Sequence, residues 1–340
     1  MQGLADAEVW DTGPESDLTR NSGEAAGLGR LRLWAIGALA ERFQAFAMGS
    51  VQRGRATGGD ATDLDLEQAY LRYSFAAPRR LILQAGKMTL PAGNFARRYL
   101  SSRNPLIGAP ANYGIPYPVG IEVAGSVGRF DGLAAILDRP VTTEEVLLGE
   151  NPSRAFRPLL AAGVTPIVGL RLGAYTTRGP YLTREWQSML PAGDRWRSFQ
   201  QRVTGMDLQF SRAHFELNGD FALSRYEVPR NADGEGKNYY LEPKYTWSPR
   251  WFTALRLERS HLPYIWPVDG APWYASVKKV YDGEVGVGFR VGPELLLKAS
   301  YRYASERTRY KAYYNAEEGH ALAFQVSYSF DVNSWIERPR

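Results

Sequence analysis

From His320 to Phe330 the chain alternates with a period of two over a distance long enough to cross a bilayer. The even positions are His320, Leu322, Phe324, Val326, Tyr328 and Phe330, and the odd ones are Ala321, Ala323, Gln325, Ser327 and Ser329. Successive side chains of a strand point to opposite faces, so this segment is a ribbon with one greasy face and one small or polar face. The split recurs upstream. Tyr281, Val285, Val287, Phe289 and Val291 oppose Asp282, Glu284 and Arg290; Leu295, Leu297, Ala299, Tyr301 and Tyr303 oppose Glu294, Lys298, Ser300 and Arg302, with Gly292-Pro293 as the turn between them. Phe215, Leu217, Phe221 and Leu223 alternate with His214, Glu216, Asn218 and Asp220. Tyr239, Leu241, Tyr245 and Trp247 alternate with Asn238, Glu242 and Lys244, and Trp251, Leu255 and Leu257 with Arg256 and Glu258.

Ribbons of about ten residues are longer than the strands of about 5–6 residues typical of soluble sandwiches, and they match the 9–11 or so needed to span a membrane. No uncharged apolar run reaches the roughly 18 residues of a membrane helix, which excludes a helical membrane protein. A mean hydropathy of −0.36 is compatible with a barrel, because half of each spanning strand faces water. The 9 Trp, 20 Tyr and 14 Phe suit interfacial girdles. Candidate girdle pairs are Tyr73/Phe75, Trp247/Trp251, Tyr301/Tyr303 and Tyr328/Phe330. The expected fold is an all-β transmembrane antiparallel barrel of about sixteen strands.

Tight turns are expected near Ala40-Glu41, Ala77-Pro78, Arg129-Phe130, Thr165-Pro166, Ser211-Arg212, Ser248-Pro249 and Gly292-Pro293, with longer polar stretches between successive hairpins. Short turns belong in the periplasm and long loops outside the cell. Residues 1–27 are expected to hold an N-terminal segment with a first strand between Ala7 and Glu24, residues 28–331 the barrel, and residues 332–340 a periplasmic tail. Alternation in Arg42 to Gln52 is blurred. The opening Met1-Gln2-Gly3-Leu4-Ala5-Asp6 lacks a basic and then apolar leader, so an exported chain is expected to have a processed start.

The stretch Leu66 to Gly93, LEQAYLRYSFAAPRRLILQAGKMTLPAG, resembles a strand-turn-strand of the phosphate-selective porin O/P type, and Gly163 to Gly173 is similar to a hairpin common in those barrels. Phe330 resembles their terminal Phe, although Asp331 to Arg340 continue past it. The resemblance implies a general or anion-preferring channel of about sixteen strands, often trimeric. It does not imply phosphate specificity, because only 7 of the 41 basic residues are lysine.

With the greasy face toward lipid, the lumenal wall receives Arg72, Arg171, Lys244, Arg256, Arg290, Lys298 and Arg302, and also Glu122, Asp207, Glu216, Asp220, Glu242, Glu258, Asp282 and Glu284. Wall charge is nearly balanced, so selectivity falls to an inward-folded loop at the narrowest point. The candidate is Leu90 to Tyr117, which carries Arg97, Arg98 and Arg103, no acidic residue, and the stiffening Pro91, Pro105, Pro110 and Pro116. The alternative is that those arginines bind lipopolysaccharide phosphates or loop carboxylates at the surface.

Catalysis finds little footing. Cysteine is absent, and His214, His261 and His320 lie far apart, so no metal or cofactor is expected; His214 is expected to be a lumen-facing polar residue. The net charge of +5 is spread among 36 acidic residues, unlike a nucleic-acid-binding patch. Expected partners are outer-membrane lipid, lipopolysaccharide, small hydrophilic or anionic solutes and copies of the chain in a homotrimer. The rival reading is a structural barrel holding or docking a partner in an envelope complex.

Overall fold

The structure is a computed structural model that describes residues 1–13, 23–54, 59–75, 80–110, 117–140, 154–266, 268, 272–310 and 313–332. Sixteen strands follow one another: β1 (Gln2–Thr12), β2 (Ala26–Ala40), β3 (Phe43–Gly54), β4 (Gly59–Ser74), β5 (Arg80–Lys87), β6 (Val119–Val127), β7 (Phe130–Leu137), β8 (Arg157–Ile167), β9 (Leu170–Pro180), β10 (Gln200–Arg212), β11 (Phe215–Tyr226), β12 (Gly234–Thr246), β13 (Trp251–Trp266), β14 (Tyr274–Arg290), β15 (Leu295–Tyr310) and β16 (Tyr313–Asp331). Each pairs antiparallel with its sequence neighbours, and β1 pairs with β16 to close the barrel. Closure leaves no strand edge, the condition under which a sheet can sit in hydrocarbon with its backbone satisfied.

The alternation holds in detail. On β16, Leu322, Phe324, Val326 and Tyr328 are exposed on the outside while Ala321, Ala323, Gln325 and Ser327 are buried on the inside. Ring pairs Phe43–Tyr73, Tyr73–Phe75, Tyr245–Trp247, Trp251–Phe289 and Tyr328–Phe330 form a girdle at the short-turn end. Tyr301 and Tyr303 lie farther along β15, around His320.

The first strand begins earlier than the sequence suggests, at Gln2 rather than beyond Ala7. Its outward positions are Gly3, Ala5, Ala7 and Val9, of which only Val9 is strongly hydropathic, while Leu4, Asp6, Glu8 and Trp10 are buried inside. The expected turns at Arg129-Phe130, Thr165-Pro166 and Ser211-Arg212 fall one to three residues away, at Gly128-Arg129, Val168-Gly169 and Ala213-His214. Each observed turn holds a residue at positive φ (Gly128 59°, Gly169 88°, Ala213 52°), which tight hairpins require. The turn expected at Ala77-Pro78 lies outside the described residues, as does nearly all of the 332–340 tail. Connections at the opposite end are not uniformly long: only residues 55–58 separate β3 from β4, and 311–312 separate β15 from β16.

At the closing seam Gly3 pairs with Phe330, whose ring lies where a Gly3 Cβ would project. Gly3→Val should displace the ring and weaken closure by about 1–3 kcal/mol. A lower folded fraction on a heat-modifiability gel is the expected result; unchanged folding would show that the ring is free to move.

Candidate functional site: the loop across the lumen

The wall is lowest where the loop starts. β5, β6 and β7 have 8, 9 and 8 residues, and the connection between β5 and β6 turns inward, its base closed by Met88 N–H donating to Pro118 O at 2.9 Å. Apolar side chains explain the direction. Ala135, Leu137, Leu159, Tyr175, Val203 and Ala222 face inward on β7 to β11, and Met88, Leu90 and Ala92 cover them. An apolar patch on a wet wall is unfavourable unless something removes it from water.

Beyond this patch the loop is tied to the wall by polar groups. Asn94 Nδ2 donates to the carbonyls of Leu208 and Gly219, both at 2.9 Å, and Tyr240 Oη donates to Asn94 Oδ1. Gly93 adopts φ +67° against the Asp220 carboxylate, where a side chain would collide. A short 3-10 turn, Phe95–Arg97, sets Phe95 edge-on to Tyr240. Arg98 then forms an ion pair with Glu242. Burial works against the Arg98 charge, but Tyr240 and Glu242 outweigh it and raise its pKa above the ordinary guanidinium value.

Arg256 on β13 reaches Glu242 at 2.5 Å, Glu284 at 3.3 Å, Gly108 O at 2.8 Å and Asn104 Oδ1 at 3.1 Å. Glu284 accepts both the Ile107 and Gly108 N–H groups at 3.0 Å. Lys298 Nζ on β15 donates to Ser101 O, Asn104 O and Leu106 O at 2.9–3.0 Å. Ile107 packs with Trp10, Ala321 and Ala323 on the β1–β16 seam, and Ser101 Oγ donates to Asp6. Tyr99 and Tyr117 donate to Glu67 at 3.1 and 2.8 Å; burial pushes both hydroxyls up, which keeps them neutral donors. Glu67 also holds Arg32 at 2.9 Å.

The structure thus divides the three loop arginines. Arg98 is locked to Glu242, whereas Arg97 and Arg103 are exposed and have no ion pair among the described residues. Residues 111–116, with Pro116, lie outside the described part of the loop. The wall residues expected from sequence all lie on the inward side. Arg171 is bound to Asp131 and Asp207 at 2.6 Å each, Lys244 to Glu216 at 2.6 Å, and Arg302 to Asp282. Arg72 donates to Gln84 at 2.9 Å, Glu258 accepts from Ser260 at 3.1 Å, and Arg290 lies 5.8 Å from the Phe252 ring centre. Asp220 accepts from Tyr175 at 3.2 Å.

Asn94, Asn104, Glu67 and Lys298 anchor the loop. Of these only Lys298 stands out in the sequence, as a wall charge. A register shift between Met48 and Gly49 leaves Glu67 without a cross-strand partner and turns it inward, a bulge that alternation cannot foresee. His214 sits exposed in a tight turn rather than facing the lumen, because the hairpin apex falls on Ala213-His214. His261 and His320 lie on the outer side of β13 and β16. Among the described residues no group of three or more His, Asp or Glu is placed to hold a metal ion.

These features define the molecule as a transmembrane antiparallel β-barrel of sixteen strands whose lumen is crossed by one of its own loops. No protein-family model and no curated protein matches the sequence. Solved structures share the fold. The anion-selective porin from Comamonas acidovorans superposes with a TM-score of 0.63 at 10% identity, over 97% of this chain and 98% of that one. OprB from Pseudomonas putida, in its high-pH structure, gives 0.62 at 12% identity, over 97% and 93%. OmpT, an outer membrane protein of Vibrio cholerae in its trimer form, gives 0.59 at 10% identity, over 97% and 98%. Identity this low shows common architecture alone.

Proposed function

We propose that the chain is an outer-membrane porin, a channel for passive diffusion of small hydrophilic solutes with a weak preference for anions. The observation that carries this reading is the loop from Met88 to Pro110. It is fastened to the wall by matched charges, yet it leaves Arg97 and Arg103 exposed without an ion pair among the described residues. Charged side chains at a constriction set channel selectivity, and paired wall charges contribute little net field. The short-turn end then faces the periplasm and the long-loop end the exterior, and homotrimeric assembly fits the same reading. The porin O/P resemblance lies mainly in the wall hairpins β4–β5 and β8–β9, so it supports kinship of the wall and does not assign a solute. A sleeve for another polypeptide is less well supported, since the barrel's own loop crosses its lumen.

Purified protein in a planar bilayer should give stepwise single-channel currents, and a salt gradient should give a reversal potential of anion-preferring sign. Arg97→Ser with Arg103→Ser should move that potential toward zero while currents persist. An unchanged potential would remove these two residues from the filter, and absence of any current from the unaltered protein would remove the channel.

A further inference from the structure

The outer surface of β9 to β14 carries a groove that diffusion through the lumen does not use. It has a volume of about 910 Å³ and is lined on the outside by Leu172, Met206, Phe221, Tyr239, Leu257 and Tyr281. Nearer the loop end a second hollow of about 350 Å³ is lined by Arg202, Thr204, Arg225, Glu235 and Lys237. The two adjoin along the strands. Thr204 and Met206 are alternate residues of β10, and Lys237 and Tyr239 alternate residues of β12, so each pair shares the outward face. An apolar slot therefore adjoins a hollow whose three cations, Arg202, Arg225 and Lys237, outnumber its one carboxylate, Glu235.

The cations form rows. Arg178 pairs with Arg202 and Arg202 with Arg225; Lys237 pairs with His261, His261 with Lys279 and Lys279 with Arg307. Like charges directly opposite each other on a sheet are destabilising without a counter-charge. Arg178 has Glu227 at 3.4 Å and Arg225 has Asp233 at 2.7 Å, but Lys237, Lys279 and Arg307 have no ion pair among the described residues. At the lip of the groove the Arg259 guanidinium lies over the Tyr281 ring at 4.9 Å. Arg259 Nε and His261 Nε2 are buried with no hydrogen-bond partner among the described residues. An orphaned guanidinium N–H beside an apolar slot calls for an anionic acceptor carrying a hydrocarbon tail.

The cations on β10 and β11 are separated from those on β13 and β14 by about three strand spacings, or roughly 14 Å. One phosphate cannot reach both sets. We propose that this outward face binds one bis-phosphorylated lipid of the surrounding leaflet, with an acyl chain in the groove and its two phosphates on Arg202 with Arg225 and on Arg259 with Lys279. The inference rests on the reading that the barrel spans a membrane, and it is independent of whether the lumen conducts.

Native mass spectrometry of the full chain in neutral detergent provides the test, titrating bis-phosphoryl lipid A, monophosphoryl lipid A and dioleoylphosphatidylcholine separately. One bis-phosphoryl lipid should be retained most tightly, the monophosphoryl form less so and phosphatidylcholine least. Arg259→Gln with Lys279→Gln should weaken bis-phosphoryl lipid A by about thirtyfold, at roughly one order of magnitude or less per charge. Leu257→Ala should weaken all three lipids by a similar factor, because Leu257 lines the groove and offers its exposed side chain to an acyl chain. Equal binding of the three lipids, an unaffected Arg259/Lys279 double variant, or variants that change oligomeric state instead of lipid retention would each overturn the site. Single-channel currents from the same variants keep the two readings apart. Currents that persist while lipid is lost support the site, and lipid binding without currents from the unaltered protein overturns only the channel.

Discussion

Replacing Glu242 by alanine is expected to destabilise the barrel by about 3–5 kcal/mol, the cost of breaking a buried ion pair from one side. Glu242 is fully buried, and its carboxylate serves both Arg98 of the loop and Arg256 of the wall, the latter only 2% exposed. Its loss leaves the Arg98 guanidinium without an ion pair and takes from Arg256 the shorter of its two carboxylate contacts, leaving only Glu284 at 3.3 Å. Part of the cost can be avoided only by freeing the loop, so single-channel conductance should rise as stability falls. Urea unfolding in lipid vesicles measures the first effect and bilayer recording the second. Glu242→Gln, which retains shape and one acceptor, should fall between alanine and the unaltered protein. If midpoint and conductance both stay at their original values in the alanine variant, the network does not hold the loop.

Lys298→Met should have the next largest effect. The methionine fills nearly the same space, but the carbonyls of Ser101, Asn104 and Leu106 lose a shared donor. Each buried acceptor left unsatisfied costs about 1–3 kcal/mol, so a total of about 3 kcal/mol or more is expected unless the segment lifts off the wall. Lifting has its own signature, since Arg97 precedes this stretch, Arg103 lies within it, and both offer trypsin a cleavage site. Faster nicking within the loop of the folded barrel is the expected outcome. Cleavage at the original rate, with stability unaltered, would show that the ammonium contributes nothing to loop attachment.

Most of the wall was legible in the residue order because β11 to β16 contrast strongly across their two faces. Leu257 beside Glu258, or Phe324 beside Gln325, leaves no doubt which side meets hydrocarbon. The first strand hid because Gly3, Ala5 and Ala7 occupy its outer face, and a small residue gives almost no hydropathy signal. Glu67 hid for a different reason: one extra residue in β4 reverses the parity by which a face is counted. The loop was recognisable from its prolines and its lack of acids. That Arg98 pairs while Arg97 and Arg103 do not depends on a glutamate 144 residues away, and nothing local distinguishes the three.

A wall one chain thick resists stretching along its hydrogen bonds but flattens readily, since no packed interior holds its opposite sides apart. In this barrel the loop acts as a cross-brace. It bears on β10, β11 and β12 through Asn94 and Arg98, and on β1, β4, β14 and β15 through Ser101, Tyr99, Ile107 and the partners of Lys298. The bore therefore keeps a round section under lateral pressure from the bilayer, and its width is governed from within by a segment that is not itself part of the tube.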